Sequence, residues 1–162
     1  MAENEIKVGI ADLNLVLDPG VIMTIGLGSC IGIAIYDKSL KVAGLAHIML
    51  PDSTQFKSAN NPMKFADLAI PMLIDKMEKK GCKRRNMVAK IAGGASMFNF
   101  SDKSIISDIG KRNSESVKKI LKENGIPIIA EDIGGDKGRT MILNASNGIV
   151  TLKIVGKGVI EL

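Results

Sequence analysis

The sequence predicts an α+β fold, with mixed, largely antiparallel β-sheets and two main helices. Three observations carry this. Short β-branched runs, separated by brief links rich in glycine, proline and aspartate, fill the first fifty residues. The apolar period then switches twice to that of a helix, near residues 63–80 and 113–124. Three more strand-like runs follow the second helix. Helices covering a largely antiparallel or mixed sheet are the packing this order implies.

Taken in order, residues 6–17 alternate loosely through Ile6, Val8, Ile10, Leu13, Leu15 and Leu17, as one or two strands. Asp18, Pro19 and Gly20 break the run as a turn. Residues 21–25 form a short strand before Gly26, Leu27 and Gly28 change the chain's direction. Residues 31–36 and 42–50 are strands joined by a hairpin-like link at Asp37, Lys38 and Ser39. Three strands in so short a stretch predict an antiparallel meander. Residues 52–61 are polar and loop-like. Met63, Ala66, Ile70, Leu73, Ile74 and Met77 then fall on one helical face, with Gly81 as the stop. Pro71 lies inside that run, so either the helix bends there or its regular part begins near Asp67. Residues 87–91 form a strand ending at Gly93-Gly94-Ala95, a close-packing or phosphate-style turn, and residues 98–103 are irregular. The second helix is clearest over 113–124, with Val117, Ile120 and Leu121 inward and Gly125 as its C-cap. Residues 126–131, 139–143 and 149–155 are strands, and Asn147-Gly148 and Gly156-Lys157-Gly158 make the last turns.

A chain of 162 residues is expected to form a single domain over 1–162, large enough to bury a core without a disulfide or metal staple. The 46% apolar and 24% charged residues are those of an ordinary globular protein, and with one Tyr, four Phe and no Trp the core must be aliphatic. The net charge of +5 is spread out, and stacking aromatics are nearly absent, so an acidic protein partner is a better reading than nucleic acid. The N-terminus lacks a charged region followed by an apolar one, and no apolar run approaches a membrane span. A cytoplasmic protein, not membrane-embedded and with reduced thiols, is expected. Two cysteines and one histidine with no CxxC argue against zinc.

Cys30 and His47 are the candidate catalytic pair. Taken alone, Cys30 is a small buried hydrophobe and His47 a satisfied core residue. Position changes that reading. Cys30 follows Gly26-Leu27-Gly28-Ser29, where a sharp turn presents a side chain and leaves backbone N–H groups pointing outward. A thiolate favours such a site, and an oxyanion needs the same donors, which marks Gly28 and Ser29 as substrate- or oxyanion-binding candidates. Counting around the link at 37–41 brings His47, the only histidine, within cross-strand reach of Cys30. Thr24 on the incoming strand could bond the second ring nitrogen and hold its tautomer. The same glycines could equally serve a tight turn, and Thr24 could be a plain strand former. Cys82, among Lys80, Lys83, Arg84 and Arg85 just past a helix end, reads as structural or adventitiously reactive. The glycine turns at 93–96 and 134–139 match no nucleotide-binding motif, though Arg112 and Arg139 could steer a substrate.

Residues 24–30 (TIGLGSC) and 47–51 (HIMLP) resemble the CheD family of chemoreceptor glutamine deamidases. The likeness continues through 90–98 (KIAGGASMF), 109–113 (IGKRN) and 130–135 (AEDIGG), and so covers almost the whole chain. The resemblance implies a three-layer, α/β/α-like sandwich with mixed strands, related to toxin deamidases. It implies a nucleophilic Cys30, an acid/base His47, and a Thr24 that orients the histidine. It further implies methyl-accepting chemotaxis receptors as protein substrates, the CheC phosphatase as a regulatory partner, some receptor methylesterase activity in certain members, and no cofactor. Two other classes stay open: a non-catalytic partner of CheC, and another thiol amidase or esterase.

Overall fold

The computed structural model describes residues 4–56, 60–96 and 109–162. Among the described residues, ten strands and two α-helices follow one another as β1 (Glu5–Val8), β2 (Asp12–Leu17), β3 (Val21–Leu27), β4 (Ile31–Asp37), β5 (Val42–Ile48), α1 (Ala66–Glu78), β6 (Met87–Gly93), α2 (Ile109–Glu123), β7 (Ile128–Ile133), β8 (Arg139–Asn144), β9 (Val150–Ile154) and β10 (Gly158–Glu161). The strands divide into two five-stranded sheets, ordered β1-β3-β8-β9-β10 and β2-β5-β4-β6-β7. Most pairings are antiparallel; β1–β3 and β6–β7 are parallel. The α+β expectation therefore holds. The irregular reading of 98–103 lies outside the described residues.

Alternation along the strands decides the layering. On β4, Ile31, Ile33 and Ile35 pack with Ile70, Leu73, Ile74 and Met77 of α1 and Val117 and Leu121 of α2. The opposite face of the same sheet, through Ala34, Tyr36, Ala43 and Leu45, packs on Ile22, Met141, Leu143 and Leu152 of the first sheet. Side chains on successive strand residues point to opposite faces, so one sheet serves two apolar layers. The three layers are thus sheet, sheet, helices, and not the helix–sheet–helix order that the resemblance implied. Both strands of the middle sheet's centre, β4 and β5, are buried at every position, as a sheet covered on both faces must be.

The meander read over residues 21–50 is only half present. β4 and β5 do form an antiparallel hairpin. β3, however, lies in the other sheet between β1 and β8. The β3–β8 register slips between Thr24 and Leu27, where Gly26 takes a φ of +80°. That left-handed residue, accessible to glycine without a Cβ clash, carries the chain out of one sheet and into the next. The glycine turn before Cys30 is therefore a crossing between layers.

Two helix expectations are settled by the observed bounds. α1 begins at Ala66, preceded by a 3-10 turn over Pro62–Lys64, so Pro71 lies in its second turn and forfeits one backbone bond to Asp67. Gly81 and Gly125, with φ of +97° and +75°, stop the two helices as expected. The last glycine turn hides one more strand, β10, which pairs antiparallel with β9 and is exposed throughout.

Candidate active site

Register places the two candidate side chains on one face. His47 is the Cα partner of Gly32, and Cys30 stands two residues before Gly32. Two-residue periodicity then directs Cys30 and His47 alike into the layer between the sheets, where Cys30 packs with that apolar cluster. Cys30 lies one residue before the paired part of β4, so the two share the layer between the sheets, and no hydrogen bond joins the Cys30 sulfur to His47 Nε2 in this resting arrangement. Cys30 is half-buried, whereas His47 is fully buried.

Thr24 reaches His47 from the other sheet. Its Oγ1 lies 2.7 Å from His47 Nδ1 and 2.7 Å from the Val8 carbonyl. A carbonyl only accepts, so the single Thr24 hydroxyl proton goes to Val8. The oxygen's lone pair then accepts from Nδ1–H. This assigns the proton of neutral His47 to Nδ1 and leaves Nε2 as a bare acceptor. Nε2 is buried and has no hydrogen-bond partner among the described residues. Burial lowers the His47 pKa from 6.5 to about 4, so the ring is neutral near pH 7. Burial likewise raises the Cys30 thiol, against a smaller opposing pull from its own backbone N–H. A neutral thiol beside a neutral imidazole is the resting pair that these environments favour.

The turn carrying Cys30 is held through three consecutive carbonyls. Ala95 N–H donates to Gly28 O at 2.8 Å, and Gly94 N–H to Cys30 O at 2.9 Å. Between them, Asn113 Nδ2 donates to Ser29 O at 3.0 Å and also to Met49 O at 2.9 Å. Gly93 lets the β6 backbone come this close: it has a φ of +116°, and a Cβ there would overlap the Cys30 carbonyl oxygen. Gly93→Ala is expected to lower stability by about 2 kcal/mol or more, read as a drop in thermal midpoint. An unchanged midpoint would contradict this tight approach.

Two expectations need revision. The Gly28 N–H already donates to the Gly26 carbonyl at 3.1 Å, so the oxyanion candidates narrow to the amides of Ser29 and Cys30. Arg139 does not face a substrate. It is 7% exposed, pairs with Asp132 at 3.0 Å, and donates to the carbonyls of Gly93, Gly134 and Lys137. It clamps the glycine turns that flank the site. Of the two readings of the 93–95 turn, close packing is the one seen: a Cβ at Gly93 or Gly94 would overlap the Cys30 carbonyl or the Ser114 hydroxyl. Arg112, by contrast, is exposed on α2. Cys82 is buried, and burial with the neighbouring Asp37 carboxylate pushes its thiol up to about 11, which fits a structural residue. No group of three or more metal-ligating side chains occurs among the described residues.

Asn113 is the site-lining residue that the pattern reading passed over. The signal was present: Asn113 shares the spacing of Val117 and Leu121, which puts an amide on the buried stripe of α2. A polar side chain on such a stripe needs a partner, and here it has two carbonyls.

A family model described as CheD chemotactic sensory transduction matches residues 49–154. That span begins just after His47, but full-length relatives cover the whole site. A protein of Clostridium botulinum (strain Alaska E43 / Type E3) is 73% identical over 162 residues, covering 100% of both chains, and carries the name "Probable chemoreceptor glutamine deamidase CheD". Proteins of the same name from Clostridium novyi (strain NT) and Clostridium tetani (strain Massachusetts / E88) are 66% and 62% identical, over 98% and 100% of this chain and 98% of each of theirs. Among solved structures, the Bacillus licheniformis hypothetical protein YfiH aligns at a TM-score of 0.48 and 15% identity, over 75% of this chain and 49% of that one. Among the described residues, no helix is long and apolar enough to cross a membrane.

Proposed function

The chain belongs to the CheD family, and from that premise we propose that it is a cysteine-dependent protein-glutamine deamidase acting on chemotaxis receptors. One observation carries the mechanism: the Thr24 hydroxyl, held by Val8, fixes the His47 proton on Nδ1 and leaves Nε2 bare on the face that Cys30 shares.

His47 Nε2 takes the thiol proton as Cys30 Sγ attacks the carbon of the glutamine side-chain amide. The carbonyl oxygen becomes an oxyanion, stabilised by the Ser29 and Cys30 N–H groups. The imidazolium, whose charge the Thr24 oxygen supports, returns its proton to the amide nitrogen. The C–N bond breaks, ammonia leaves, and a Cys30 thioester remains. Water then gives a proton to Nε2 as its oxygen attacks the thioester. The C–S bond breaks, glutamate forms, and the thiol regains its proton. Each proton has a side chain to carry it, so the chemistry calls on no metal or organic cofactor. A raised thiol and a lowered imidazole favour this general-base route over a resting thiolate–imidazolium pair.

Incubation with a receptor fragment should convert defined glutamines to glutamate with stoichiometric ammonia. Mass spectrometry reads the exchange of NH2 for OH, and backbone cleavage instead would mean a protease. Thr24→Val keeps the shape but strands the Val8 carbonyl and His47 Nδ1–H. Its kcat should fall on the order of 10 to 10²-fold, with Thr24→Ser restoring most of it. Equal rates for Thr24→Val and wild type would refute the tautomer argument. We assign the whole of residues 1–162 to one cytoplasmic deamidase domain. CheC binds it as a regulatory partner in this reading, testable by co-purification with His47 and Cys30 variants.

A further inference from the structure

We propose that Asn113 is a positioning residue that aims the Cys30 backbone N–H as an oxyanion donor, while tying the nucleophile's turn to the histidine's strand. This deepens the deamidase reading and rests on it.

The argument begins with the peptide plane. In a trans peptide, the C=O of one residue and the N–H of the next point in opposite directions. No cis peptide bond occurs within residues 28–31, so they follow this rule. Asn113 Nδ2 holds the Ser29 carbonyl, and the other end of that plane is the Cys30 N–H. The amide of Cys30 is thereby directed away from α2, toward the layer that contains Thr24 and His47. Ala95 does the same for the preceding plane, holding Gly28 O and so turning the Ser29 N–H outward.

The second bond explains why a side chain is needed as well as backbone. Asn113 also donates to Met49 O, two residues past His47. One buried amide thus bridges the start of β4 and the end of β5, just beyond Ile31 and Ile48, where their pairing ends. Its orientation is determined, because flipping the amide would set its oxygen against two carbonyls. The arrangement has a cost. Asn113 is fully buried, and its Oδ1 has no hydrogen-bond partner among the described residues. An apolar residue would spare that penalty but could not hold either carbonyl.

The test uses Asn113→Leu and Asn113→Ser in the full chain. Leucine matches the shape and removes the unpaired oxygen; serine can restore one donor. With receptor as substrate, Asn113→Leu should lower kcat on the order of 10²-fold while leaving KM nearly unchanged, as expected for loss of an oxyanion contact. Serine should recover part of it. Independently of any substrate, iodoacetamide labelling of Cys30, followed by peptide mass spectrometry across pH, should slow roughly tenfold near neutral pH as the thiolate loses its donor. Folded Asn113→Leu protein with wild-type kcat and an unchanged labelling profile would overturn the proposal. So would loss of folding in both variants, which would assign Asn113 to stability alone. If wild-type protein leaves receptor glutamines untouched, the deamidase reading fails separately, and the labelling profile still judges the placement of the Cys30 amide.

Discussion

Cys30→Ala is expected to abolish ammonia release from receptor glutamines, with a loss on the order of 10⁴-fold or more, while leaving the fold intact. The two halves of this expectation come from different features. Kinetically, no other thiol can substitute. Cys82 is buried among the apolar side chains beneath α1, and its thiol is pushed up to about 11, so it supplies almost no thiolate near pH 7. Removing a covalent nucleophile leaves only binding and oxyanion contacts, which accounts for losses of this size in other thiol and serine hydrolases. Structurally, Cys30 is half-buried, and its turn is held by carbonyl bonds that do not involve the sulfur. Truncation to alanine should therefore cost about 1 kcal/mol. Ammonia assays with thermal melts of both proteins give the comparison. A folded Cys30→Ala protein that still deamidates would remove the nucleophile assignment, and with it the thioester. A silent wild type would favour the non-catalytic partner instead.

How much of this site the sequence disclosed depends on which contacts are local. The β4–β5 hairpin and its register follow from alternation about a short link, so the face that His47 takes could be counted out residue by residue. The step from β3 to β4 could not. Gly26 and Gly28 permit a hairpin and an inter-sheet crossing equally well, and what distinguishes them is the pairing of β3 with β1 and, over a hundred residues away, with β8. The same long reach brings Thr24 over His47 from the opposite sheet, which the sequence could propose as a pairing without supplying the path. Arg139 misled for a related reason. Glycines beside an arginine look like an exposed anion loop, yet Asp132 and three carbonyls bury this cation as a clamp. β10 stayed hidden because a four-residue exposed strand has no amphipathic pattern to betray it.

His47→Asn should separate the roles of the two ring nitrogens, and its effect should be legible in stability as well as in rate. An asparagine amide can take the place of Nδ1–H as donor to Thr24 but offers no base at the Nε2 position. Turnover should fall on the order of 10³-fold or more. In the wild type, kcat/KM should stay flat from neutral pH downward and reach half its value only at about pH 4, because catalysis needs the neutral ring and burial holds the pKa at about 4. An exposed histidine would give that midpoint near 6.5. The same shift has a thermodynamic sign. Between those two values the unfolded chain binds a proton that the folded chain refuses, so this contribution to stability is complete above 6.5 and drains as pH falls through about 4. The difference amounts to about 3 kcal/mol. Carboxylates add their own acid dependence to both proteins. The informative quantity is therefore the wild-type stability change from pH 7 to 4 minus that of His47→Asn, measured by denaturant unfolding. A difference near zero would mean that His47 titrates normally in the folded protein. Its ring would then be solvated, Nε2 would not be a desolvated base waiting for the thiol proton, and the general-base route would give way to a resting ion pair.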